Sequence, residues 1–196
     1  MEAAAKISEE AYLEAERKSE TKNEFVNGMI VAMAGATPRH NIIVGNFAGG
    51  LHRRLPRRCR TVTSDQRVHV SATGMYTYPD IVVVCGAWEL HPKDSSTLLN
   101  PRMLVEVLSP STEMYDRGAK FRHYAYIASL LDYVMAAQDT KRVEHYRRLD
   151  TGQWLLTAYE GAEAVLVMED LGLYIPLSEI YEGVDEVPGE GGEIRV

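Results

Sequence analysis

Residues 104–112, "LVEVLSPST", set a carboxylate in the middle of an apolar run. Leu104, Val105, Val107 and Leu108 around Glu106 predict a buried strand, and Ser109-Pro110 ends it, because proline cannot donate to a sheet ladder. Taking an ionised carboxylate out of water without a partner costs several kcal/mol. Glu106 therefore meets a cation, accepts hydrogen bonds, takes up a proton or borders a cleft.

Upstream, "YPDIVVVCG" (78–86) predicts a second buried strand, entered through Pro79, with Asp80 directly before the apolar residues. The intervening "AWELHPKDSSTLLNP" (87–101) reads as a loop long enough to make the two strands antiparallel neighbours, so Asp80 and Glu106 converge on one sheet edge. Carboxylate oxygens at a shared site suit a hard divalent cation such as Mg²⁺ or Mn²⁺, which would offset the cost of burying Glu106. The alternative partner is an arginine or lysine in an ordinary ion pair.

Farther out, residues 8–22 predict a helix with Ser8 as N-cap, Glu9, Glu10 and Glu14 after it, and a modest apolar side of Tyr12, Leu13 and Ala15. "EFVNGMIVAM" (24–33) predicts a β-hairpin around Asn27-Gly28. Thr37 and Pro38 then start a core-packing helix with Ile43, Phe47, Leu51 and Leu55 on one face, weakened by Gly49-Gly50. Val62, Ser64, Val68 and Val70 alternate with polar residues as in strands, and "SATGMYT" (71–77) reads as a turn. After Glu106, residues 112–130 predict a helix with Lys120 and Tyr124 one turn apart, and 132–138, 142–149 and 154–160 predict three more strands. This order gives an α/β or α+β fold, a mixed sheet between helices.

With 45% hydrophobic and 25% charged residues among 196, the chain has ordinary globular composition and suits one domain, 1–196, with a core of about 8–183 and an acidic, glycine-rich tail at 184–196. No apolar stretch approaches a membrane span and "MEAAAKISEE" lacks the apolar middle of a signal peptide, so a cytoplasmic location is expected. Cys59 and Cys85 read as two ordinary thiols. The net charge of −7 argues against indiscriminate coating of nucleic acid. Arg53, Arg54, Arg57 and Arg58 in "HRRLPRRCR" (52–60) nevertheless form a basic patch, which either contacts phosphates or pairs with surface acids.

Together, "YPDIVVVCG", "LLNPRMLVEVLSPST" (98–112), "YDRGAKFRHY" (115–124) and "LSEIYEG" (177–183), in this order, resemble the Uma2 family of bacterial proteins with a PD-(D/E)XK restriction-endonuclease-like core. The resemblance implies a central mixed sheet with flanking helices and a metal-dependent phosphodiesterase acting on DNA. It assigns Asp80 and Glu106 as the metal-binding acids, with the carbonyl after Glu106 as a further ligand. One departure is that the motif's lysine, two residues after the acid, is Leu108 here. The resemblance moves that role to Lys120, whose ammonium need only reach the attacking water or the phosphate. A surface lysine paired with Asp116 is the alternative. Glu24, read at the end of the first helix, matches an extra acid of such nucleases, or is an ordinary surface glutamate. His40, in the first turn of the core helix, touches metal, water or phosphate, or is a plain helix-start residue. Asp116 and Tyr124 flank Lys120 and would fix its rotamer. A homo-oligomer, with a dimer favoured, is the expected assembly. A non-catalytic nucleic-acid- or partner-binding module on the same fold is the alternative function.

Overall fold

In the computed structural model, which describes residues 6–33, 35–110 and 112–187, the Ser8 side chain accepts a hydrogen bond from the Ala11 amide and so caps the first helix, α1 (Glu9–Lys18). Tyr12 and Leu13 are its buried residues, whereas Ala15 is exposed, and the helix ends at Lys18 rather than 22. Strands β1 (Asn23–Val26) and β2 (Met29–Ala32) form the expected hairpin. Asn27 and Gly28 take φ of 53° and 86°, the two successive left-handed residues that a type I′ turn requires. Helix α2 (Pro38–Arg54) begins as read, with Thr37 accepting from the His40 amide, and buries Ile43, Phe47 and Leu51 completely.

Six strands follow before Glu106 is passed: β3 (Cys59–Thr63), β4 (Arg67–Val70), β5 (Met75–Thr77), β6 (Ile81–Cys85), β7 (Leu90–His91) and β8 (Asp94–Leu98). Next come β9 (Met103–Leu108) and a helical stretch built from α3 (Glu113–Tyr115), a π-helical turn over Asp116–Lys120 and α4 (Phe121–Tyr124). The chain continues through β10 (Asp132–Ala137), β11 (Arg142–Arg148), β12 (Trp154–Glu160), β13 (Val165–Met168), β14 (Leu173–Pro176) and α5 (Leu177–Ile180).

The strands form a central mixed sheet in the order β12-β11-β10-β9-β6-β3, a second mixed sheet in the order β2-β1-β5-β4-β8-β7, and the ribbon β13-β14. Strands β9 and β10 are parallel, and β6 and β9 are antiparallel as expected. Side-chain alternation along the central strands separates two cores. Met103, Val105, Val107, Val134 and Ala136 pack with α2, the ribbon and α5. Leu104, Leu108, Val82, Val84 and Tyr133 pack with the second sheet and with Tyr124 of the helical stretch. The fold class is the mixed α+β expected from the sequence.

Three readings need correction. The segments 71–77 and 87–101, read as turn and loop, contribute β5, β7 and β8 to the second sheet, because strands of two to five residues are too short to display a period. Glu24 is the second residue of β1, not the end of a helix. Cys59 and Cys85 are not free thiols but form a disulfide, for they face each other in the antiparallel register of β3 and β6. Their separation of 26 residues predicts a loss of about 3.5 kcal/mol on reduction, from the loop entropy returned to the unfolded chain. Urea titrations with and without a reductant measure it, and coincident midpoints would show that the crosslink contributes nothing.

The acidic tail is described only as far as Val187, with a 3-10 turn over Val184–Glu186, and the remainder lies outside the described residues. Among the described residues no helix is long and apolar enough to cross a membrane.

Candidate active site

The pairing Ile81↔Val105 carries the two acids to one place, since one further step along each strand sets Asp80 beside Glu106. Asp80 Oδ2 accepts hydrogen bonds from the Val107 amide at 2.7 Å and from His40 Nε2 at 3.1 Å. Asp80 Oδ1 has no hydrogen bond or ion pair with the described residues and is the oxygen left for a ligand.

Glu106 is 4% exposed and its Oε1 accepts from the Tyr124 hydroxyl at 2.7 Å and from Lys120 Nζ at 2.9 Å. The same ammonium lies 3.2 Å from Glu24 Oε1 and 3.5 Å from Asp116 Oδ1. Lys120 does pair with Asp116 at i−4, as the alternative of a surface pair expects, but it does so deep in the site rather than on the surface, with 6% of the residue exposed. Thr77, which sequence reasoning missed, donates to Glu24 Oε1 at 2.5 Å and lies 3.2 Å from the Tyr124 hydroxyl. It sits in the segment taken for a turn, so no signal pointed to it.

The site thus sets four carboxylates, Asp80, Glu106, Glu24 and Asp116, around one lysine. Burial raises the Glu106 carboxyl to about 8, with the Asp116 and Asp80 charges pushing the same way and Lys120 opposing. Asp116 is also raised, again by burial first. Burial would discharge Lys120, but Glu106, Glu24 and Asp116 outweigh it and hold its ammonium well above the ordinary lysine range. Burial thus favours the neutral form of Glu106 and Asp116, while the surrounding acids favour the charged form of Lys120. For His40, burial opposes protonation, and the hydrogen bond and charge of Asp80 more than restore it, raising the imidazole above its usual value.

Asp80, Glu106, Lys120, Glu24, His40 and Asp116 all line one cleft of about 1000 Å³. Tyr124 stands behind them, fully buried. Leu108, at the motif's usual lysine position, packs in the apolar cluster with Tyr124 and Tyr133. The arginine patch is not brought to the cleft. His40 and Arg54 are 14 residues apart on α2, about 21 Å along its axis, and Arg53 and Arg54 pair with Glu179 of α5. Arg57 and Arg58 are exposed. The cleft's two lysines are both engaged, Lys120 as described and Lys22 with Asp65 at 2.8 Å.

Among the described residues no group of three or more His, Cys, Asp or Glu side chains stands ready to hold a metal ion. The donor set still suits one chemically. Its oxygens are the hard ligands that Mg²⁺ and Mn²⁺ prefer, they already gather a cation in the form of the Lys120 ammonium, and Asp80 Oδ1 is spare.

The chain resembles known proteins over nearly its whole length. An "uncharacterized protein", slr1290, of Synechocystis sp. is 34% identical over 180 residues, covering 91% of this chain and 93% of its own. A second, sll1609, from the same organism is 34% identical over 158 residues, 78% of this chain and 87% of its own. The crystal structure of "a putative nuclease belonging to DUF820" from Anabaena variabilis superposes with a TM-score of 0.73 at 17% identity, covering 91% of this chain and 99% of that one, and so shares the fold. Residues 9–178, which hold every site residue named above, match the model of the family described as "Putative restriction endonuclease", and on that match and the two Synechocystis relatives the chain belongs to the Uma2 family.

Proposed function

We propose that this protein is a divalent-metal-dependent nuclease that hydrolyses phosphodiester bonds in DNA. One observation carries the reading: a buried, charged lysine held among three carboxylates, beside a fourth with a spare oxygen, on the floor of an open cleft. Structural stability alone is a weak reason for such an arrangement, because burying four acids against one ammonium costs more desolvation than the pairs return. The family's description as restriction endonucleases and the shared nuclease fold support the same chemistry.

Asp80, Glu106 and the carbonyl of Val107 would hold Mg²⁺ or Mn²⁺, which supplies Lewis acidity to the phosphate and acidifies water when bound. The chain's own groups do the rest. His40 and the Val107 amide hold one oxygen of Asp80 and leave the other for the metal. Tyr124 holds Oε1 of Glu106. Lys120 would donate a hydrogen bond to the attacking water or a non-bridging phosphate oxygen, where negative charge grows as the new P–O bond forms and the ester P–O bond breaks. The departing oxygen takes a proton from water. Glu24 and Asp116 keep the ammonium charged and limit where it can swing. On this reading residues 1–196 act as one domain and assemble as a dimer, and the exposed pair Arg57 and Arg58 is what remains of the patch to meet phosphates.

The test is cleavage of supercoiled plasmid by the purified protein in Mg²⁺ or Mn²⁺, against chelator and against Asp80→Ala. Nicking that needs the metal and is absent from the variant is expected. A second reading, a nucleic-acid- or partner-binding module without catalysis, is favoured by the two engaged cleft lysines and by the buried Leu108. Calorimetric titration separates the two, since a binding module has no use for a carboxylate metal site and would take up no Mn²⁺.

A further inference from the structure

Gln138 follows β10 at the cleft and is 4% exposed, yet its Nε2 has no hydrogen-bond partner. Burying an amide with an unpaired end costs stability, so a glutamine kept at this position calls for a use. Its other end is engaged. Gln138 Oε1 accepts from the Thr37 hydroxyl at 2.8 Å. Thr37 Oγ1 in turn accepts from the His40 amide at 3.1 Å, the capping bond of α2. His40 Nε2 reaches Asp80 Oδ2, 3.1 Å away, and since a carboxylate only accepts, this nitrogen carries the proton.

Hydrogen bonds therefore link Gln138 at the end of β10 to Thr37, Thr37 to the His40 backbone, and the His40 ring to the acid that the proposed function assigns to the metal. We propose that Gln138 is a positioning residue, which by holding the Thr37 hydroxyl fixes the first turn of α2 so that His40 presents Nε2 to Asp80 and leaves Asp80 Oδ1 free for a divalent cation. The physical logic lies in the single proton of the threonine hydroxyl. While Gln138 takes that proton, the oxygen's lone pairs stay turned toward the His40 amide. Without Gln138 the hydroxyl rotates, the cap loosens, and the imidazole loses its aim. Outer partners of a metal ligand typically carry about 10- to 100-fold in affinity, and Gln138 acts one step farther out than His40.

The inference rests on the metal-binding reading, so its test has one arm that needs no metal. In the metal-free protein, the His40 Nε2–H resonance in nitrogen-15 NMR should be slow to exchange in wild type and lost in Gln138→Leu, with the rest of the fold intact. In the second arm, Mn²⁺ calorimetry should show His40→Ala weaker by about tenfold and Gln138→Leu weaker by several-fold. The double variant should be no weaker than His40→Ala, because both changes act through one imidazole. Additive losses, or an unchanged His40 resonance in Gln138→Leu, would each overturn the assignment and leave Gln138 a packing residue. A wild type that binds no Mn²⁺ sinks the nuclease reading instead, and the resonance then decides alone whether Gln138 aims His40.

Discussion

A Lys120→Met protein is expected to bind divalent metal and to lose about 10²- to 10³-fold in cleavage rate, the usual cost of removing one preorganised donor from developing charge. Methionine keeps most of the stem's packing and removes only the ammonium, so the loss reads charge rather than shape. The same change has a second signature. Lys120 is the only cation in contact with Glu106, Glu24 and Asp116 among the described residues, and removing one side of a buried ion cluster costs about 3–5 kcal/mol. The metal-free variant should therefore unfold at lower urea than wild type at pH 8, less so at pH 5, where protons neutralise the acids, and should regain stability when Mn²⁺ is added. Wild-type cleavage by Lys120→Met would end the catalytic assignment of this residue, and the unfolding data would then describe a purely structural lysine.

Glu106→Gln should abolish metal binding and with it cleavage, and should change the pH dependence of stability in a defined direction. The folded carboxyl of Glu106 holds its proton up to about 8, whereas in the unfolded chain it releases it near 4.5. Between these limits the native state binds more protons than the unfolded state, so stability falls as pH rises, by up to about 1.4 kcal/mol per pH unit for one proton. The contribution is complete below the unfolded value and lost as pH passes the folded one. Glutamine does not titrate, so the variant's metal-free stability should be flatter across pH 5–9 and exceed wild type at the alkaline end. Urea midpoints at pH 5, 7 and 9 measure this. Parallel wild-type and variant curves would mean that Glu106 is ionised throughout.

Much of the central sheet was legible because its signals are local. The apolar run around Glu106, the Asn27-Gly28 turn and the Thr37-Pro38 helix start each name their own structure, and all three stand where they were read. Glu106 was also legible as a candidate, since a charge in an apolar run announces that it needs a partner, and Asp80 through its place at the head of the neighbouring strand, whereas Lys120 stood out only through the family resemblance. What could not be read depends on register between distant segments. The Cys59–Cys85 crosslink follows from how β3 lies against β6, the second sheet from pairings among strands too short to show a period, and the chain of hydrogen bonds from Gln138 from three separate elements meeting at α2. The basic patch stayed open between two readings for a related reason: its arginines are adjacent in sequence, but only the fold reveals that Glu179 comes to meet Arg53 and Arg54.

The π-helical turn over Asp116–Lys120 has a further consequence, best put in terms of insertion and deletion. In a regular α-helix four residues overshoot a full circle by about 40°, so Asp116, Lys120 and Tyr124 would spiral apart by about 80°. The wider turn undershoots, and the two deviations cancel. All three side chains then stand in one row, where Asp116 and Lys120 meet each other and Lys120 and Tyr124 share Glu106. Such a turn is an α-helix carrying one residue too many. Deleting Gly118 would heal it into regular helix and swing everything before the deletion by about 100° relative to everything after it, scattering the row without touching any of its members. For this stretch, chain length is as much a part of the site as the identity of its residues.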